Sequence, residues 1–172
     1  MGVTPTEFRT ALRCFAAGVT VVTTRDADGR PSGLTASAFT AVSLDPPLVL
    51  VCVDHAAAAY PAFSAHGWFA VNVLRRDQEA VSRRFALSGG DKFAGLAYHE
   101  GRARLPLLDG VLATLECRLV SQHEAGDHTI FVGEVDRTTV HGGLPLVYFH
   151  GAYHGLAPEA GAMARAADGG MA

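Results

Sequence analysis

Small residues fill the stretch 33–39, which reads Gly-Leu-Thr-Ala-Ser-Ala-Phe. Side chains of this size let backbone amides and the hydroxyls of Thr35 and Ser37 approach a planar ligand without steric obstruction. The turn 45–47, Asp-Pro-Pro, leads into the apolar run 48–53, and its two prolines restrict the backbone there. The pattern predicts strands that flank a slot for a flat ligand.

A second motif, Gly126-Asp127-His128, is a predicted turn ahead of the apolar segment 129–135. Asp127 is well suited to form the turn, and a histidine after such a turn is often only the exposed start of a strand. An imidazole also titrates near neutral pH, and a neighbouring carboxylate can orient it. On the residues alone, both interpretations of His128 stay open.

Composition excludes several classes of partner. The chain has 172 residues, a formal net charge of −3 and no basic tract, so neither nucleic acid nor an anionic membrane is expected to bind. Its apolar fraction of 49% and charged fraction of 18% are typical of one compact domain. Neither a leader nor a membrane span is expected.

The chain has three cysteines, Cys14, Cys52 and Cys117, and they form no CxxC pair. They are expected to be buried thiols in a reducing cytoplasm.

Helices are predicted in three places. The first begins at Thr4, where Glu7 completes a capping box, and ends by Gly18 after about three turns. A short alanine-rich helix is expected within 56–65, and another is expected from Asp77. The inward residues of the first helix are predicted to be Phe8, Leu12 and Phe15, and those of the last Ala80, Val81 and Phe85.

Strands are predicted wherever apolar and polar residues alternate or β-branched residues cluster. Asp26-Ala27-Asp28-Gly29 predicts a hairpin turn between the first two of them. The strand segments are 19–24, one through Thr35 and Ser37, 48–53, 68–74, 111–123, 128–139 and a last hairpin at 146–156. Many short strands with few helices indicate a mainly β fold, a β-barrel with helical decoration, over one domain at 1–156. The tail 157–172 is predicted to be disordered.

Taken together, the separated segments resemble the flavin reductases of two-component flavin-dependent monooxygenases, over roughly residues 5–156. The resemblance implies an FMN-binding split β-barrel, a homodimer and a cytoplasmic location. It also implies an NAD(P)H:flavin oxidoreductase that transfers a hydride from NADH or NADPH to FMN or FAD. The reduced flavin would then pass to a partner monooxygenase.

The same resemblance assigns roles to individual residues. His128 is the expected catalytic residue, because a Gly-Asp-His turn in this family borders the flavin face where the nicotinamide docks. The nicotinamide substrate is expected to meet Asp127, His128, Tyr148, His150 and Tyr153. The flavin is expected to meet Thr35, Ala36, Ser37, Ala38, Phe39, Cys52, Val53, Asp54, His55, Ala58, Ala59, Arg84, Phe85 and Lys92.

Two segments depart from the family pattern. The loop 56–59 is all alanine where family members often carry Ser, Thr or Asn, so only backbone N–H groups remain there for a phosphate. His150 stands where arginine is frequent among family members. A weaker grip on the phosphate suits a flavin that diffuses away after reduction.

Other functions were weighed against this reading. A non-catalytic flavin-binding or flavin-carrier protein is the first alternative, and a split-barrel oxidase of the pyridoxamine-phosphate type, which needs more basic residues, is the second. Neither a GxGxxG nor a GxxxxGK[ST] motif occurs. No metal is expected, since His150 and His154 on one strand would lie roughly 13 Å apart.

Overall fold

The computed structural model describes residues 2–156. The tail 157–172, predicted to be disordered, lies outside the described residues. Within them, strands far outnumber helices, as the residue pattern predicts. The helices are α1 (Pro5–Leu12), α2 (Tyr60–His66), α3 (Glu79–Ala86) and a 3-10 turn (Arg102–Arg104). The strands are β1 (Ala17–Gly18), β2 (Thr20–Arg25), β3 (Pro31–Ala36), β4 (Phe39–Leu44), β5 (Pro47–Asp54), β6 (Trp68–Val73), β7 (Tyr98–Glu100), β8 (Pro106–Leu108), β9 (Ala113–Ala125), β10 (His128–Val140), β11 (Leu146–Phe149) and β12 (Ala152–Gly155).

Seven antiparallel strands form the main sheet, in the order β3-β2-β6-β9-β10-β5-β4. Its two edge strands, β3 and β4, are consecutive in the chain and are joined only by Ser37 and Ala38. Three residue steps span at most about 11 Å, so the sheet has to curl until its first and last strands approach each other. No β3–β4 pairing closes the sheet within residues 2–156. The prediction of a mainly β, split-barrel fold is therefore confirmed.

The core lies on both faces of β2, which explains its unbroken β-branched sequence. Val22 packs inside the curled sheet with Val51, Val71 and Phe131. Its neighbour Val21 points the other way, into a second cluster that includes the Phe85 side chain of α3. Adjacent residues of a strand face opposite sides of the sheet, so β2 is buried throughout.

The N-terminal helix confirms one prediction and corrects another. Thr4 and Glu7 form the predicted capping box. The predicted buried face is wrong, because Phe8, Leu12 and Phe15 are 57%, 54% and 76% exposed. The helix ends at Leu12, so Phe15 no longer follows helical spacing, and α1 packs none of its residues into the core.

Helix α3 also differs from its prediction. It begins at Glu79 after Gln78 rather than at Asp77, and its buried residues are Ser82 and Phe85, whereas Ala80 is exposed. Residues three apart share a helix face, so Ser82 rather than Ala80 accompanies Phe85.

The turns agree with the sequence except at the last hairpin. Asp26 and Gly29 form the first hairpin turn, with Gly29 at φ 76°. The last hairpin turns at His150 and Gly151, whose φ values of 51° and 81° match a type I′ turn. His150 is therefore a turn residue, and His154 lies across the hairpin from Val147 rather than farther along the same strand.

The described residues were predicted to contain neither a membrane span nor a metal site, and the cysteines were predicted to be buried. No helix among them is long and apolar enough to cross a membrane. Within residues 2–156, no three His, Cys, Asp or Glu side chains are grouped as metal ligands would be. The cysteines differ from the prediction, since Cys14 is exposed, Cys52 is half-buried and only Cys117 is fully buried.

Gly133 of β10 tests the packing inside the curled sheet. A Cβ atom there would lie 2.5 Å from Phe69 Cζ and 2.9 Å from Cys117 Cβ. Because both neighbours are buried, Gly133→Ala is predicted to lower the free energy of unfolding by about 1–3 kcal/mol. Urea unfolding measures this change. Gly18→Ala is the control, because its added Cβ would meet no atom within 4 Å; equal effects of the two substitutions would contradict the packing account.

Candidate functional site

A cleft of about 260 Å³ opens where the two edge strands of the sheet approach each other. It brings together most of the residues that the sequence assigned to flavin contact. Those lining it are Thr35, Ala36, Ser37, Ala38, Cys52, Asp54, Ala58, Ala59, Phe85 and Lys92, together with His128. The lining residues that the sequence analysis missed are Leu34, Ala57, Ala86, Leu87 and Ser88. Most of these directly adjoin predicted residues, so chain proximity was the available signal.

The link between the two edge strands forms one wall of the cleft. The Thr20 hydroxyl donates to the Ala36 carbonyl at 2.7 Å, and the Cys52 amide donates to the Ala38 carbonyl at 3.0 Å. These two bonds fix the link at both ends. Among the described residues, no hydrogen bond uses the amide N–H of Ser37 or of Ala38. Both residues are exposed, and their amides remain available as donors.

The hydroxyl of Thr35 serves the scaffold. It donates to the Ser82 carbonyl of α3 at 2.6 Å, which ties that helix to β3. The Ser82 hydroxyl in turn lies 2.8 Å from the Tyr153 hydroxyl. Thr35 therefore lines the cleft, but its hydroxyl proton is already used in a hydrogen bond. Tyr153 contacts Ser82 of α3 through its hydroxyl and does not line the cleft.

The opposite wall follows from the alternation of β5. Val51 and Val53 point into the core, so Cys52 and Asp54 face the cleft. His128 is the cross-strand partner of Asp54 and thus lies on the same face. Partial burial raises the pKa of the Cys52 thiol, which keeps it neutral near pH 7.

His128 is held by its neighbour in the turn. Its Nδ1 lies 2.7 Å from Asp127 Oδ1, and the His55 amide donates to the Asp127 carbonyl at 3.0 Å. The hydrogen bond from His128 lowers the pKa of the Asp127 carboxyl. With Nδ1 engaged and the side chain 40% exposed, Nε2 is the ring nitrogen available to a ligand.

Lys92 closes one end of the cleft. Its Nζ donates to the carbonyls of Phe85 at 3.0 Å and Gly33 at 3.3 Å, and burial lowers its pKa. Beyond Lys92 the cleft continues into a second cavity, of about 560 Å³, which Ala58, Ala59 and Arg30 also line.

Several predicted contact residues lie away from the cleft. Val53 is buried in the core cluster inside the curled sheet, and Phe39 packs against that cluster. His55 Nε2 lies 2.9 Å from the Thr129 hydroxyl, and its ring packs on Tyr60. Arg84 donates to the Ala94 carbonyl at 3.0 Å and lines a separate surface cavity.

Tyr148 and His150 line a different groove, of about 390 Å³, between α1 and the last hairpin. This groove shares the lining residues Ser37 and Ala38 with the cleft, so the two adjoin at the link. The predicted nicotinamide residues thus divide among the cleft, the groove and the back of α3.

Comparison with known proteins gives consistent matches. A family model described as flavin reductase like domain matches residues 12–157. The chain is 40% identical to the reductase subunit of a flavin-dependent monooxygenase from Rhodococcus jostii, covering 90% of this chain and 80% of that protein. It is 44% identical to an FMN reductase (NADH) from Agrobacterium fabrum, covering 86% and 83%. The solved structure of an NADH:FAD oxidoreductase from Streptomyces globisporus superposes with a TM-score of 0.86 at 38% identity, covering 93% and 99%.

Proposed function

Since the chain belongs to the flavin reductase like domain family, we propose that it transfers a hydride from NADH to a flavin held in the cleft. The observation that carries the proposal is the Ser37–Ala38 link, which presents two free amides beside small side chains. FMN and FAD are both candidate flavins, because relatives named for each are similar to this chain.

The donor set of the cleft fits an isoalloxazine ring. One edge of that ring carries N5 and O4, which accept hydrogen bonds from amide N–H donors, and N3–H, which donates one. When bound, the flavin supplies the hydride-accepting ring system, and the protein supplies binding and electrostatics. The amides of Ser37 and Ala38 would donate to N5 and O4 and so orient the ring.

His128 faces the cleft from the opposite wall, and we assign it to the nicotinamide side of the flavin. The Asp127 contact fixes its ring orientation. Hydride transfer needs no proton from the enzyme. The role of His128 would therefore be to position the dinucleotide so that nicotinamide C4 lies within about 3–3.5 Å of flavin N5.

The far end of the cleft would hold the ribityl phosphate. Within residues 2–156, the amides of Ala58 and Ala59 carry no hydrogen bond, and Lys92 lies nearby. The alanines add no hydroxyl donor, so the grip is loose. A loosely held flavin suits release after reduction to a partner monooxygenase, as the Rhodococcus jostii relative's name implies for that protein. We assign the protein to the cytoplasm, where NADH is available.

A reductase and a flavin carrier differ in turnover. The purified protein is predicted to oxidise NADH continuously when FMN, FAD or riboflavin is added, with absorbance at 340 nm as the readout. A carrier would bind flavin and turn yellow without consuming NADH. That second result would replace the proposed activity with the carrier function.

Replacing His128 tests its assigned position. His128→Ala is predicted to slow flavin reduction by roughly 10- to 100-fold, about 1.4–2.7 kcal/mol, because orientation is lost while the hydride acceptor remains. Anaerobic stopped-flow reduction of the flavin-loaded protein measures the rate. His123→Ala, an exposed histidine on the same hairpin, is the control. Equal rates in the His128 variant and the parent would return His128 to the role of a strand-start residue.

A homodimer is also proposed. The edge strand β4 carries exposed Val42 (49%) and Leu44 (74%), and α1 carries exposed Phe8. Apolar groups on an open sheet edge favour pairing with another chain.

Light scattering is predicted to give twice the 18.0 kDa chain mass, and Leu44→Glu is predicted to shift the mass toward 18.0 kDa. Val140→Glu, exposed at the far end of β10, should leave the mass unchanged. An 18.0 kDa parent at micromolar concentration would contradict the dimer.

A further inference from the structure

The groove between α1 and the last hairpin is lined by two arginines and, among the described residues, by no acidic residue. Arg9 of α1 and Arg13, the residue that caps the C-terminal end of α1, both line it, one helical turn apart. Residues at i and i+4 share a helix face, so both guanidinium groups serve the same surface. No carboxylate lines the groove with them.

Neither arginine has a counter-ion among residues 2–156. In the part of the chain that the structure describes, the side chains of Arg9 and Arg13 form no ion pair and no hydrogen bond. Most other arginines pair with a carboxylate: Arg25, Arg30, Arg75, Arg83, Arg102, Arg104, Arg118 and Arg137. Two free guanidinium groups in one groove create a local positive field that favours an anion.

Arg13 is fixed against the turn of the last hairpin. The His150 amide donates to the Arg13 carbonyl at 3.0 Å. A Cβ atom at Gly151 would lie 4.0 Å from Arg13 Nε, so the side chain extends over this turn. The capping box of Thr4 and Glu7 fixes the other end of the helix. The two arginines are thus held on one wall of the groove.

The groove adjoins the cleft at Ser37 and Ala38, which line both. A ligand that places one end in the cleft can therefore extend its other end past the arginines. On the basis of the proposed function, we propose that Arg9 and Arg13 bind the diphosphate of the nicotinamide dinucleotide whose nicotinamide ring enters the cleft. The planar guanidinium fork matches phosphate oxygens in charge and geometry.

Within this groove, His150 stands where family members frequently carry arginine, so the two arginines would supply the positive charge. His150 and Tyr148 lie along the same groove, where they would contact the ribose or adenine half of the dinucleotide. Leu12 and Phe15 provide an apolar wall beside them. The arginines are binding residues for the donor and have no part in the hydride step.

The test compares two hydride donors in Arg9→Gln, Arg13→Gln and the double variant. NADH carries the diphosphate, whereas N-benzyl-1,4-dihydronicotinamide carries the same reacting ring without phosphate. For NADH, kcat/KM is expected to fall by about 10- to 100-fold in the double variant, mainly through KM. For the phosphate-free donor, kcat/KM is expected to stay at the parent value. Arg118→Gln is the control, because Arg118 pairs with Glu134 outside both cavities.

Salt dependence gives a second readout. In the parent, KM for NADH is expected to rise with ionic strength, because salt screens exposed charge pairs. The double variant is expected to lose most of this dependence, whereas a merely structural role of α1 would leave it unchanged. Flavin affinity, measured by fluorescence quenching, is expected to match the parent.

Each contrary result has a separate meaning. Unchanged NADH kinetics in the double variant would overturn the assignment of Arg9 and Arg13. An equal loss with both donors would also overturn it, since α1 would then support the cleft rather than bind phosphate. Unchanged kinetics together with dissociation to a monomer would give the groove to a second copy of the chain. A parent that oxidises neither donor with any flavin would overturn the proposed function itself.

Discussion

The two-residue link between the edge strands is the constraint on which the rest of the structure depends. Ser37 and Ala38 have to join the first and last strands of a seven-stranded sheet, so the sheet curls into an incomplete barrel. Ser37 and Ala38 themselves belong to neither edge strand. Their amides are left as donors at the gap, so the curl of the sheet also forms the cleft.

The surrounding elements hold this gap open and give it chemistry. The Thr35 hydroxyl donates to the Ser82 carbonyl of α3. This contact holds α3 beside the gap, where Phe85 and Lys92 line one side of the cleft. The register of β10 on β5 places His128 opposite Asp54 at the other side. Each of these contacts comes from the scaffold, so the site is preorganised before any ligand arrives, as catalysis by positioning requires.

Much of this arrangement could be predicted from the sequence. The small residues at 35–38 predicted a slot beside two strands, and the resemblance to flavin reductases supplied the other expected contact residues, most of which line the cleft. The errors arose where local pattern carries no information about neighbours. Phe8 and Leu12 repeat at helical spacing, yet only tertiary contacts decide whether that face is covered. His150 continues an apolar run, but the backbone there adopts positive φ and turns. The role of Thr35 depends on α3, which lies far along the chain.

The central claim is that the flavin ring lies against the Ser37–Ala38 link. A crystal structure of the protein with oxidised FMN tests it most directly. The account predicts the Ser37 and Ala38 amide nitrogens within about 2.7–3.2 Å of ring N or O atoms, with His128 facing the exposed side of the ring. A ring bound elsewhere, such as in the cavity beside Arg30, with these amides free of it, would contradict the account.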